Sequence, residues 1–152
     1  MTVTVTETLD FPVENVWKMI SDFGALMRWH PQVLSCDLEG SGLGAERTVR
    51  LEGKWAKERL VTLEEDRHIL EYFIADGSDP RSVGMTGRIS LSPDGPGRTR
   101  IEWLSGWPDN HPEAVAVNTR LAAYYPTRVE HLRAALAQAR ATGQTEVQHD
   151  KI

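Results

Sequence analysis

The chain has 152 residues, of which 40% are hydrophobic and 26% are charged, and its formal net charge is −5. This composition indicates one globular domain, because no segment approaches the ~18 apolar residues that a membrane span requires. An acidic chain without a basic stretch argues against nucleic acid as a partner. A single cysteine, Cys36, excludes an internal disulfide. We expect a cytoplasmic protein, since "MTVTVTETL" lacks the basic and apolar regions of a signal peptide.

The first predicted elements are a strand and a pair of short helices. Alternating Thr and Val residues predict a strand over Thr2–Leu9. Apolar residues then recur at helical spacing and predict an amphipathic helix from Pro12 to Asp22, because the fixed φ of Pro12 suits a first helical position. Gly24 is placed to end this helix, and "ALMRW" allows a second short helix that Pro31 stops.

After Pro31 the hydrophobic period changes to two, which is typical of strands. Turns rich in Gly, Pro and Asp, such as "EGSGLG" and "SPDGPG", separate six candidate strands. These strands are Val33–Leu38, Glu46–Leu51, Trp55–Glu64, Ile69–Ala75, Val83–Leu91 and Arg98–Trp107. Six strands in a row with short connections predict an antiparallel meander.

The last predicted element is a long helix from about Pro112 to Ala141, which Pro126 should kink. Its apolar stripe consists of Ala114, Val117, Leu121, Tyr125, Val129, Leu132, Leu136 and Ala139. We expect residues 1–141 to form a single domain and the polar residues 142–152 to form a flexible tail. The predicted fold class is α+β: a seven-stranded antiparallel curved sheet around a long C-terminal helix, with two short helices after the first strand. A sheet that grips a helix in this way encloses space.

Alternation within the later strands separates an inward face from an outward face. The segment "ILEYFI" is apolar on both faces, and there the assignment is a choice between two sets. The residues assigned to the inward face of the last three strands are Leu70, Tyr72, Ile74, Val83, Met85, Ile89, Leu91, Thr99, Ile101, Trp103, Ser105 and Trp107. Tryptophans on this face would offer flat apolar surface to a ring-bearing ligand.

One predicted hairpin carries charged residues on its inward face. If Leu60 in "KWAKERLVTLEE" faces inward, Glu58 does so too, and Arg47 shares the inward face of the preceding strand with Val49 and Leu51. A buried carboxylate needs a partner or it neutralises, and a bond to arginine is of the strong, charge-assisted kind. The pair could be an ion pair that only fixes the sheet or a chemical group that faces a cavity, and the sequence leaves both readings open.

Several segments, in this order, resemble the SRPBCC superfamily (START-like, helix-grip proteins), and within it the bacterial polyketide cyclase/dehydrase-like branch. The segments are Pro12–Val16–Trp17, "DFGALMRWHPQV", "GLGAERTVRL", "KERL" and "RTRIEW", and the resemblance spans about Thr2 to Leu136. It implies a hydrophobic cavity between the sheet and the C-terminal helix. It implies no single function, because the fold serves lipid and hormone carriers, cyclases, hydrolases and chaperone activators.

The resemblance places the turn formed by Trp29, His30 and Pro31 near the mouth of this cavity, and it places the family's inward acid and base at Glu58 and Arg47. An imidazole with a pKa near 6.5 could transfer protons at neutral pH, although a histidine that only packs and holds the turn is the alternative for His30. The residues expected to bind a ligand are Trp29, Val49, Leu51, Tyr72, Met85, Trp103, Trp107, Asn118, Leu121 and Tyr125.

Two positions depart from the family's pattern. Met85 stands where a tyrosine usually opens the sixth strand, which removes one hydroxyl from the expected cavity. The "YYP" at Tyr124–Pro126 replaces a segment that usually contains glycine, and which of the two tyrosines faces inward is left open.

His111 could line the opposite rim of the cavity or cap the last helix.

We therefore predict a protein that binds a hydrophobic small molecule, ring-bearing or polyketide-like. The sequence leaves open whether the protein is also an enzyme, a lyase or isomerase that cyclises or dehydrates this molecule. In that case Glu58 or His30 would move protons and Arg47 would polarise a carbonyl. A non-catalytic carrier or sensor is the alternative, and a protein-binding adaptor is a weaker one. No cofactor is expected, five unpaired histidines argue against a metal site, and a homodimer is left open.

Overall fold

The computed structural model describes the backbone of residues 2–107 and 114–150 and the side chains of residues 3–107 and 118–142. Its elements are β1 (Thr2–Leu9), α1 (Val13–Ser21), a single 3₁₀ turn (Leu26–Arg28), β2 (Ser35–Glu39), β3 (Glu46–Leu51), β4 (Lys54–Glu64), β5 (Ile69–Gly77), β6 (Thr86–Pro93), β7 (Thr99–Gly106) and α2 (Ala114–Asp150). The second short helix of the prediction is thus one 3₁₀ turn, which precedes Pro31 as expected.

The strands form one seven-stranded sheet in the order β1-β7-β6-β5-β4-β3-β2. Every neighbouring pair is antiparallel. Strands β2 to β7 follow one another as a meander, and the last strand, β7, also pairs with the first strand, β1. The α+β fold class, a curved antiparallel sheet with a long C-terminal helix, is therefore confirmed. The inner face of the sheet and the helices together surround the interior of the protein, and this interior contains the candidate site described below.

The hydrophobic core lies between the inner face of the sheet and the two helices. Leu9 of β1, Val16 of α1, Ile101 of β7 and the helix residues Val129 and Leu132 are completely buried. These side chains come from opposite sides of the interior, so their burial holds the sheet and the helices together. Each buried aliphatic side chain of this size contributes roughly 1.5–3 kcal/mol of burial free energy.

Most inward assignments made from alternation agree with the observed burial. Leu70 and Tyr72 of β5 are buried, and Ile74 is half-buried. The five residues predicted to face inward in the last strand are all buried: Thr99, Ile101, Trp103, Ser105 and Trp107. The strand predicted at Val83 begins instead at Thr86, because Gly84 has a φ of 95° and the Met85 amide donates to the Ser82 carbonyl in a turn.

The long helix α2 differs from its prediction at the C-terminal end. It continues to Asp150 rather than ending near Ala141, and Ala139, which was assigned to its apolar stripe, is exposed. After the buried Leu136, the next helix residue that contacts the rest of the protein on this side is Arg140, whose guanidinium lies 4.2 Å from the Phe11 ring centroid. The kink at Pro126 and the flexible tail at residues 142–152 stay predictions.

The predicted helix start near Pro112, and with it His111, lies outside the described residues. In the part of the chain that the structure describes, no helix is long and apolar enough to span a membrane.

Candidate ligand-binding cavity

A cavity of about 650 Å³ lies between the inner face of the sheet, the segment from α1 to Pro31, and α2. This volume falls within the roughly 300–1,000 Å³ that is typical of sites for small organic ligands. The predicted site residues that line it are His30, Arg47, Glu58, Trp29, Val49, Leu51, Tyr72, Met85, Trp103, Leu121 and Tyr125. The strands and the helix therefore bring most of the predicted site residues to one place.

Two predicted ligand-binding residues do not line the cavity. Trp107 is 5% exposed and packs with Met85 in a small separate cluster, and Asn118 is buried without being part of the cavity wall. Trp107 follows the last residue of β7, Gly106, so strand alternation no longer determines where its side chain points. Tyr124 and Tyr125 both line the cavity, which answers the question of which one faces inward.

Arg47 and Glu58 form a buried ion pair on the cavity wall. They are direct cross-strand partners in β3 and β4, and Arg47 Nε donates to Glu58 Oε1 at 2.7 Å. Their side chains are only 8% and 15% exposed, respectively. Arg47 Nη1 also donates to the Phe23 carbonyl at 3.1 Å, and its guanidinium lies 3.9 Å from the Phe23 ring centroid. The pair thus joins the hairpin to the segment after α1.

An aromatic wall formed by Trp29, Tyr72, Trp103, Tyr124 and Tyr125 also lines the cavity, and the Tyr72 ring centroid lies 5.6 Å from the Arg47 guanidinium. Trp103 stacks on Tyr125 with ring centroids 4.9 Å apart and meets Trp29 edge-on at 6.1 Å. Burial raises the pKa of Tyr72 well above its usual value, and burial also raises the pKa of Tyr125, so both phenols keep their protons at neutral pH. The wall therefore offers flat apolar surfaces together with two neutral hydroxyl groups.

The Tyr72 ring reaches this position because it lies across a glycine. Tyr72 of β5 and Gly87 of β6 are direct cross-strand partners. A Cβ atom added at Gly87 would overlap the Tyr72 ring, which is itself buried. Gly87 therefore leaves room for the ring to lie flat against the sheet, and this keeps the ring out of the middle of the cavity.

Arg128 of α2 is the main cavity residue that sequence reasoning missed. It is 2% exposed, lines the cavity, and stacks on the Tyr124 ring with 3.8 Å between the guanidinium carbon and the ring centroid. Its position was detectable, because it lies three residues after Tyr125 and four before Leu132 on the buried stripe of the helix. A stripe defined by apolar residues alone does not include an arginine, so the prediction omits Arg128.

The histidines beside Arg128 accept hydrogen bonds from it. Arg128 Nη1 lies 3.3 Å from His30 Nδ1 and 3.3 Å from His131 Nδ1. Because a guanidinium can only donate, both Nδ1 atoms must be unprotonated, which puts the ring proton of each neutral histidine on Nε2. Burial, followed by the charges of Arg128 and of the neighbouring His131, lowers the pKa of His30 to about 3. His30 is therefore neutral at pH 7.

The buried His30 ring gives stability a defined pH dependence. The folded-state pKa of about 3 lies below the unfolded value of 6.5, so the unfolded chain binds more protons between these two values. The stabilisation is complete above pH 6.5 and is lost as the pH falls. Between pH 6.5 and pH 5, wild-type protein should lose about 2 kcal/mol of unfolding free energy through His30 alone.

The matched variant is His30→Asn, whose Oδ1 can accept from Arg128 in place of Nδ1 but does not titrate. Urea unfolding of both proteins at the two pH values isolates the histidine, since the other titrating groups are common to both. An equal loss of stability in the variant would show that His30 does not carry the effect.

The exposed end of the cavity carries further charges. Arg120 of α2 contacts Asp79, in the loop between β5 and β6, with 3.4 Å between Nη1 and Oδ2, and Arg81 of the same loop binds Asp79 at 3.0 Å. The hydrogen bond from Arg81 lowers the pKa of Asp79, so this carboxyl is ionised. Lys54 also lines the cavity, with its Nζ 5.8 Å from the Tyr124 ring centroid. Among the described residues, no three His, Cys, Asp or Glu side chains come together as metal ligands.

The fold and the cavity between sheet and helix define a helix-grip protein, and comparison with known proteins gives its family. Residues 1–137 match the family described as "Polyketide cyclase / dehydrase and lipid transport", and the chain belongs to this family. The resemblance stated from the sequence motifs is thereby confirmed.

The individual proteins that this chain resembles share less than 30% sequence identity with it. "Abscisic acid receptor PYL6" of Arabidopsis thaliana is 28% identical over 108 residues, which are 64% of this chain and 50% of the receptor, so the chain spans about half the length of this curated relative. A solved protein from Nitrosospira multiformis has a TM-score of 0.68 and 26% identity, with 91% of this chain and 95% of that one covered. Ara h 8.0201 has a TM-score of 0.73 at 14% identity, with 91% and 98% covered, which shows likeness of fold alone.

Proposed function

We propose that this protein binds a hydrophobic, ring-bearing small molecule in the cavity between the sheet and α2. The observation that carries the proposal is a partly open cavity of about 650 Å³ whose wall contains six aromatic residues with large flat rings. These residues are Trp29, Trp55, Tyr72, Trp103, Tyr124 and Tyr125. Apolar and aromatic walls with a few polar groups are typical of small-molecule sites. The match to a family that includes lipid transport, and to a receptor named for a small acid, supports the same function.

A cavity-filling substitution tests this proposal. Ala56 lines the cavity, whereas its neighbour Lys57 does not, because consecutive strand residues point to opposite faces of a sheet. We expect Ala56→Phe to weaken binding of the neutral fluorescent probe N-phenyl-1-naphthylamine by about tenfold or more, and Lys57→Phe to leave it within about twofold.

The measurement is a fluorescence titration on both variants, after thermal melting has shown that they fold. Equal affinity in the two variants would place the probe outside the cavity and contradict the proposal. Native mass spectrometry of the purified wild-type protein, which detects any co-purified small molecule, gives an independent check.

A second candidate function is catalysis of a cyclisation or dehydration in the same cavity. Glu58 supports it, because Oε1 is held by Arg47 while no described residue donates a hydrogen bond to Oε2. This carboxylate would accept a proton from the carbon next to a substrate carbonyl and pass it to the departing hydroxyl, so that water leaves, with Arg47 beside the oxygen that gains charge. His30 is a weaker choice for this role, since its pKa is lowered to about 3 by burial and by Arg128.

If the protein is a catalyst of this kind, Glu58→Gln should lower turnover by roughly 100-fold or more while probe affinity stays within a few-fold. The substrate is a short thioester that carries a β-hydroxy ketone. Mass spectrometry monitors its loss of water and so measures the turnover. Unchanged turnover in Glu58→Gln would remove Glu58 as the base. A wild-type protein that binds but releases no water would be a carrier or sensor for this class of compound.

A further inference from the structure

Two buried arginines line the cavity, and only one of them has a counter-ion. Arg47 is paired with Glu58 at 2.7 Å. Arg128 is more deeply buried, yet it forms no ion pair with a carboxylate among the residues that the structure describes. A buried charge is costly unless it is paired, so the difference between the two arginines calls for a physical reason.

The partners that Arg128 does have are all uncharged. Nη1 donates to the two neutral histidines, Nη2 approaches Gln32 Oε1 at 3.4 Å, and the Tyr124 ring covers one face of the guanidinium. A guanidinium has five N–H donors, and these contacts leave Nε–H and one Nη2 hydrogen without an acceptor among the described residues. Burial lowers the pKa of Arg128 only to about 10, so the side chain is charged at neutral pH.

The wall as a whole has the opposite charge to the rest of the chain. Its described residues include five cationic side chains, Arg47, Lys54, Arg81, Arg120 and Arg128. They include only two carboxylates, Glu58 and Asp79. The whole chain, in contrast, has a formal net charge of −5. An excess of positive charge in a concave, partly dry site attracts an anion.

We propose that the ligand is a monocarboxylic acid whose ring-bearing apolar body lies against the aromatic wall and whose carboxylate pairs with Arg128. A planar carboxylate can accept two N–H bonds from one guanidinium and supplies the charge that Arg128 lacks. The inference rests on the proposed binding function and adds to it the chemical class of the ligand. It also assigns Arg128 as the residue that distinguishes acids from neutral compounds of the same shape.

The experiment compares aromatic acids with their primary amides, which have nearly the same shape but no charge. Naphthalene-, biphenyl- and indole-acetic acids and their amides compete at pH 7 against N-phenyl-1-naphthylamine bound to the full-length protein. In at least one of the three pairs, wild type should prefer the acid by about tenfold or more. If amides compete as well as acids in every pair, or if no competitor displaces a bound probe, the carboxylate proposal is overturned while the binding function stands. If the neutral probe itself does not bind, the binding function fails and the inference with it.

Variants then test the assignment to Arg128. Arg128→Gln should bring the ratio of acid to amide affinity to within about twofold of one, whereas Arg128→Lys should retain a preference of about threefold or more. Arg133→Gln removes a charge from the same helix at a residue that does not line the cavity, where Arg133 donates to the Thr8 carbonyl, and it should keep the wild-type ratio. A full acid preference in Arg128→Gln would overturn the assignment. If that variant does not fold, Arg128→Met, which keeps the apolar stem without the charge, takes its place, and a full acid preference in Arg128→Met overturns the assignment.

Discussion

Replacing Arg47 with methionine should lower the free energy of unfolding by about 3 kcal/mol. The substitution keeps the apolar stem but removes the charge that pairs with Glu58, whose side chain is only 15% exposed. It also removes the donor to the Phe23 carbonyl, so a backbone acceptor between α1 and the 3₁₀ turn loses its partner. Urea unfolding at pH 7 measures the loss.

The same hairpin provides the control for this prediction. Arg59 and Glu46 are also direct cross-strand partners in β3 and β4, with a 3.1 Å ion pair, but Arg59 is 44% exposed. Because water screens exposed pairs, Arg59→Met should cost under about 1 kcal/mol. Equal losses for the two arginine variants would show that burial of the Arg47 pair does not matter. In the double variant Arg47→Met, Glu58→Leu, much of the lost stability should return, because no unpaired charge remains in the interior.

Gly87→Ala should destabilise the protein by about 2–3 kcal/mol and weaken binding of N-phenyl-1-naphthylamine by about tenfold or more. The added methyl group would overlap the Tyr72 ring on the neighbouring strand. The ring is enclosed, so it can move only toward the centre of the cavity, where it would occupy the space of a ligand. Thermal unfolding and probe titration on the same preparation measure the two effects.

Gly24→Ala is the matched control, since it adds the same methyl group at a glycine that also has no positive φ. There the new atom would lie 3.0 Å from Leu38 Cδ2 and 3.2 Å from Leu38 Cβ, and a small shift of this exposed residue relieves both contacts. We expect a change in stability below about 0.5 kcal/mol and unchanged probe affinity. A Gly87→Ala protein that binds the probe like wild type would show that the Tyr72 ring does not bound the ligand space.

Strand alternation predicted most of the fold and much of the cavity wall, because a period of two determines which side chains share a face. It placed Arg47 and Glu58 on the same inward face, and the structure shows them in contact. The same rule gave the burial of Trp107 but not its place in the cavity wall, because the residue lies beyond the end of β7 and packs with Met85 instead. Alternation carries no information past the last hydrogen-bonded residue of a strand.

The remaining features depend on contacts between distant parts of the chain. Arg128 and His30 are 98 positions apart, and although helical spacing puts Arg128 on the buried stripe, it does not show that His30, Gln32 and Tyr124 surround its guanidinium. The role of Gly87 likewise depends on Tyr72 lying opposite it, which requires the strand register. A single sequence does not contain this information, because neither residue type nor spacing shows which side chains become neighbours.

The contact between Arg120 and Asp79 has a consequence for how fast the cavity exchanges its contents. It joins α2 to the loop between β5 and β6, and it is an exposed ion pair in a chain whose other helix-to-sheet contacts are largely apolar and buried. Such a pair contributes under about 1 kcal/mol and weakens as salt screens it. Separation of the helix from this loop therefore costs much less than opening the core. If the ligand of the proposed function passes between the helix and this loop, we expect its exchange rate to increase with ionic strength.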